Sequence, residues 1–101
     1  MTDEVSIRFL VDNPLPPGGT AQFEEWASAC RSLGPTAAEA FLVVLTLGSG
    51  DEQYRALVGL RVLGYEAWAV GTGRKTMYAV RAPGAITAQT VVPKVTRREA
   101  Q

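Results

Sequence analysis

The chain has 101 residues, with ten Lys and Arg against ten Asp and Glu, one cysteine and no histidine, so it is the size of one domain. The missing histidine excludes a His-based metal site, a His general base and a Ser-His-Asp triad, and the lone Cys30 excludes an internal disulfide. A hydrophobic content of 47% with 20% charged residues is that of a folded globular chain; no apolar run approaches the roughly 20 residues of a membrane span and no basic-then-apolar leader opens the chain, so a soluble, cytoplasmic protein is expected.

Residues 5–11, VSIRFLV, alternate. Val5, Ile7, Phe9 and Val11 share one face and Ser6, Arg8 and Leu10 the other, which predicts an N-terminal strand. The stretch DNPLPPGG (12–19) ends it. Thr20 then suits the cap of a helix whose apolar stripe is Phe23, Trp26, Ala27, Cys30 and Leu33, stopped by Gly34 and Pro35. Cys30 lies on that stripe and reads as a small core residue, since no nearby cation stands out to lower its pKa. In TAAEAFLVVLTLG (36–48), Thr36 and Glu39 have the spacing of a capping box, whereas Val43, Val44 and Thr46 favour a strand. Periodicity does not separate a buried helix from a buried strand here. Residues 49–64 predict a capped helix: Ser49 and Glu52 repeat the capping-box spacing, Asp51 suits the positive N-terminus, and Gly64 suits a left-handed terminus. Its packing face is Tyr54, Leu57, Val58, Leu60 and Leu63. YEAWAVG (65–71) and TMYAVRA (76–82) flank TGRK as the two arms of a β-hairpin. Pro83 and Gly84 end it, and 85–95 supply a short edge strand.

These elements add up to an α+β fold: a compact single domain with an N-terminal strand, two to three helices and a C-terminal β-hairpin. If residues 41–47 are a strand, the alternative is a two-layer α/β sandwich of βαβαββ order. Residues 1–95 form the globular domain and 96–101 a flexible C-terminal tail. Charge is unevenly spread, −4 over residues 1–50 and +4 over 51–101, which marks the second half as the candidate anion-facing half.

From Gly34 onward the segments GPTAAEA, LGSGDEQYRALVGLRVLGY and GTGRKTMYAV resemble winged helix-turn-helix proteins over residues 34–82. The resemblance implies that helix 49–64 enters a DNA major groove and that the 71–80 hairpin touches the neighbouring backbone. It further implies that Gln53, Tyr54 and Arg55 approach bases or phosphates, that Arg74 and Lys75 contact backbone, and that binding is salt-dependent. Two features depart from the pattern. The element before LGSG is unusually apolar, and Asp51 and Glu52 stand close to where phosphates would lie. VVLTLGSGDE is also similar to the first motif of adenosylmethionine-dependent methyltransferases. There Thr46 replaces the usual acid, the later acid is missing, and the chain is about half the length such a fold needs.

The carboxylate pairs carry no catalytic geometry. Glu24 and Glu25 are adjacent and point apart on a helix, while Asp51 and Glu52 are helix-start charges. The expectation is therefore a small non-enzymatic binding module without cofactor or metal, a DNA-binding regulatory protein. The alternative is a protein-interaction or assembly protein, of a kind phages encode, acting through an exposed sheet edge. A homodimer is compatible with either reading.

Overall fold

The computed structural model describes residues 4–34, 36–70, 77–84 and, for the backbone, 89–91. In chain order these form α1 (Glu4–Asp12), α2 (Ala21–Ser32), α3 (Ala37–Leu47), α4 (Gly50–Val62), β1 (Glu66–Val70), β2 (Met77–Arg81) and β3 (Gln89–Val91). The fold is α+β, four helices followed by an antiparallel hairpin.

The N-terminal strand is overturned. Residues 5–11 form most of α1. As a helix the segment brings Ser6 and Leu10, four residues apart, onto one stripe that is fully buried. Ile7 and Phe9 pack along the two margins of that stripe, against the same core. The alternation of Val5, Ile7, Phe9 and Val11 is therefore a by-product of margins and outer face. The cue against a strand was Leu10, an apolar residue on the supposedly polar side. The Asn13 backbone N–H and its Nδ2 both donate to the Phe9 carbonyl (3.0 and 2.9 Å), closing the helix.

Helix α2 begins as expected. The Phe23 backbone N–H donates to Thr20 Oγ1 at 3.1 Å. Trp26, Ala27 and Cys30 are buried, Phe23 stacks on Trp26, and Trp26 Nε1 donates to the Asn13 carbonyl. That last bond ties α2 to the end of α1.

Residues 41–47 are helical, so the βαβαββ alternative is set aside. Helix α3 buries Ala37, Ala40, Phe41, Val44 and Leu45. The β-branched preference of Val43, Val44 and Thr46 gives way to this packing, and Thr46 Oγ1 bonds back to the Leu42 carbonyl at 2.9 Å, as helical threonines do. The two capping-box spacings do mark helix starts, yet neither Thr36 nor Ser49 makes a side-chain capping bond.

Helix α4 is the centre of the domain, touching α1, α2, α3 and β1. Five consecutive residues, Ala56 to Leu60, are buried. Gly59 permits the approach of α3: a Cβ placed there would lie 2.6 Å from Phe41 Cε2 and 2.9 Å from Cδ2. Phe41 itself is fully buried, worth about 1.5–3 kcal/mol by area transfer. The helix ends in a Schellman arrangement. Gly64 has φ 99°, its N–H donates to the Arg61 carbonyl, and the Tyr65 N–H donates to the Leu60 carbonyl.

β1 and β2 pair antiparallel with Trp68 opposite Ala79 and Glu66 opposite Arg81, and β3 adds to β2, giving the order β1-β2-β3. Ala67, Tyr78 and Val80 face the core. Trp68 lies on the other face of the sheet, half-buried and outside the core, unlike Trp26. Arg61 Nε donates to the Ala67 carbonyl at 2.7 Å, fastening α4 to β1.

Candidate interaction surface

Helix α4 decides where its polar side chains can act. Residues 56–60 are enclosed, so the first two turns, Arg61 and part of Val62 reach the surface. Gln53 Nε2 donates to the Leu45 carbonyl at 3.0 Å. Leu45 lies in the last turn of α3, where carbonyls lack intrahelical partners. Arg55 Nη1 donates to the carbonyls of Leu10 and Val11 at 2.7 and 3.1 Å. It therefore supplies both donors and a positive charge to the C-terminal end of α1. Two of the residues read as nucleic-acid contacts thus bind neighbouring helix ends within the chain. Tyr54, between them, is 55% exposed. Arg74 and Lys75 lie in the 71–76 connection, outside the described residues, and so does the proposed tail 96–101.

The result is a small surface at one end of the molecule. Arg55 holds the end of α1 against the start of α4, and Gln53 holds the end of α3 there. The exposed apolar side chains Val11, Leu47 and Tyr54 stand on these three joined ends, at 48%, 59% and 55% exposure. Asp51 is exposed and Glu52 half-exposed in the same first turn of α4. These joined ends expose apolar side chains together with the acids at the start of α4. The sequence reading placed Tyr54 in a packing face, Val11 on the apolar face of a strand and Leu47 in a central apolar element; all three are exposed. Nothing local in VVLTLG separates Leu47 from the buried Leu45.

From this end the patch continues along α1. A groove of about 360 Å³ runs on one flank, lined by Val5, Phe9 and Leu33 with Glu4, Arg8 and Asp12. A second, of about 300 Å³, runs on the other flank past Ile7 and Val11 with the same three charged residues. Val5 is 70% exposed.

Among the described residues, chemistry-bearing groups are sparse. Cys30 is fully buried, and its burial pushes the thiol up to about 12 against a small opposing pull from the Arg31 charge. A thiol so placed is not a nucleophile at neutral pH. Among the described residues no three His, Cys, Asp or Glu side chains are grouped to hold a metal ion. No single helix among them is long and apolar enough to cross a membrane.

Comparison of the chain with protein-family models, curated proteins and solved structures found no match.

Proposed function

We propose that this chain is a non-enzymatic binding module whose partner is a protein. The observation that carries the reading is the outward surface of the first turns of α4. It offers Asp51, Glu52 and Tyr54, while the Arg55 charge is engaged by the carbonyls of α1. Acids at that position repel a phosphate backbone, whose attraction for Lys and Arg supplies most of the affinity of nucleic-acid binding. An exposed aromatic with exposed aliphatic side chains on the adjoining helix ends, alongside charge, is instead the composition of a protein-binding surface.

DNA binding is the second reading. It is favoured by the order of α3, α4 and hairpin, which resembles that of winged helix-turn-helix proteins, and by the basic pair Arg74 and Lys75 in the sequence between β1 and β2. One experiment separates the two: fluorescence anisotropy of a labelled DNA duplex over a salt series, with the wild type and with Arg74→Ala/Lys75→Ala. A protein-binding module gives no salt-sensitive association, or the same weak association in both proteins. Salt-sensitive binding that the double substitution abolishes would overturn the protein reading and establish the hairpin as a DNA contact.

A further inference from the structure

We infer that the protein partner at this surface is a second copy of the chain, docked antiparallel along α1. This deepens the protein-binding reading and rests on it. The argument starts from the outer face of α1, where Glu4, Arg8 and Asp12 follow one another at four-residue spacing and so form a single stripe, acid, base, acid. Val11 flanks that stripe and is half exposed.

A two-fold axis at the level of Leu10, midway between Arg8 and Asp12, makes the stripe self-complementary. Arg8 of each copy then stands opposite Asp12 of the other, giving two reciprocal ion pairs. The same axis brings the two Val11 residues within about 3 Å of each other along the helix direction, at 1.5 Å rise per residue. An axis at the level of Arg8 sets arginine against arginine and Glu4 against Asp12, which is repulsive. Charge therefore excludes that register, as it can in isologous interfaces.

An axis near the start of α1 would pair Arg8 with Glu4 instead. That end offers the exposed Val5 but not the junction that Arg55 makes with α4. Leu47 and Tyr54 are exposed on the two helix ends that Gln53 and Arg55 bring to the end of α1. A stable interface needs on the order of 800 Å² from each partner, more than one face of a nine-residue helix provides. The C-terminal register lies at the junction made by Arg55, where the ends of α3 and α4 can extend the contact beyond α1; the N-terminal register lies about four residues, roughly 6 Å, away from it.

The test uses the full chain and measures association by sedimentation equilibrium over a concentration series. The wild type is expected to dimerise. Arg8→Asp places acids opposite Asp12 in both halves of the dimer, and Asp12→Arg places arginines opposite Arg8. Each alone should weaken dimerisation by at least about tenfold. An equimolar mixture of the two variants should restore it. In the mixed dimer the acid introduced at position 8 of one copy meets the arginine introduced at position 12 of the other, and the native Asp12 meets the native Arg8. Glu4→Arg should leave association unchanged. A wild type that stays monomeric throughout, a mixture that fails to associate, or a single variant that dimerises like the wild type each overturns the inference. Circular dichroism confirms that the variants stay folded. If either charge variant loses helix, Val11→Ser takes its place, with the same expected weakening and with unchanged association overturning the inference. Failure here leaves the DNA assay untouched, so self-pairing and the broader protein-binding reading fail separately.

Discussion

Helices α1 and α4 meet at the Arg55 bonds, yet they are built in opposite ways. From Ala56 to Leu60 every residue of α4 is buried, whereas α1 buries only Ser6 and Leu10 and leaves Glu4, Val5, Arg8, Val11 and Asp12 outside. A helix enclosed on all sides is a scaffold, because none of its surface remains for a partner. A helix that buries one stripe holds the rest of its circumference available. The middle of α4, where a recognition helix would display its reading face, is thus committed to holding the domain together. The surface for recognition lies at the start of α4 and along α1.

The largest expected effect tests the enclosed half. Gly59→Ala improves intrinsic helix propensity by up to about 1 kcal/mol, but its Cβ would meet the Phe41 ring at 2.6 Å. Overpacking in a closed core costs about 1–3 kcal/mol, so net destabilisation of about 1–2 kcal/mol is expected in urea unfolding. Phe41→Leu removes the ring atoms in conflict. In the double variant the Gly59→Ala penalty should shrink or reverse, a coupling that a double-mutant cycle reads directly. A neutral Gly59→Ala with no coupling to Phe41 would break the claim that α4 is enclosed at this point.

A second test addresses the joint between the two helices. Arg55→Ala removes the donors to the Leu10 and Val11 carbonyls and the cation at the end of α1. A loss of about 1–2 kcal/mol is expected, measured as a lower denaturation midpoint. Arg55→Lys should recover part of it, since the charge stays while the forked geometry goes. If Arg55 were instead a nucleic-acid contact with no internal task, Arg55→Ala would leave stability unchanged and act on binding alone.

Much of the enclosed half was legible in the sequence. The Thr20 cap, the stripe through Cys30, the Ser49 start, the left-handed Gly64 and both hairpin arms are local signals, and each sits where its chemistry indicated. The segment 5–11 was not, because a short helix with apolar margins produces the same alternation as a strand. What decides between them is the tertiary burial of Ser6 and Leu10. The candidate surface was the least legible part. Gln53 and Arg55 stand out as polar residues on a predicted helix, but their acceptors lie 8 and 45 residues away. Only the folded arrangement shows that they turn inward and leave Tyr54, Val11 and Leu47 outside.

The smallest expected effect at neutral pH comes from Cys30, on α2 within the core cluster that α4 shares. Its folded thiol titrates at about 12, above the ordinary thiol value of 9.0, because burial disfavours the thiolate. A raised folded value means that the unfolded chain loses this proton first. The contribution is fully present below about pH 9 and is lost as pH rises through the window from 9 to about 12. Stability of the wild type should therefore fall across that window more steeply than that of Cys30→Ala. Every other titrating group is common to the two proteins and cancels in the difference. At pH 7 the substitution should cost only its lost packing. The Cys30 thiol should react with a disulfide reagent at the rate of unfolding rather than at that of a free thiol. Fast modification of the folded protein at neutral pH would mean that the enclosed half opens locally, and the contrast with α1 would then be one of degree.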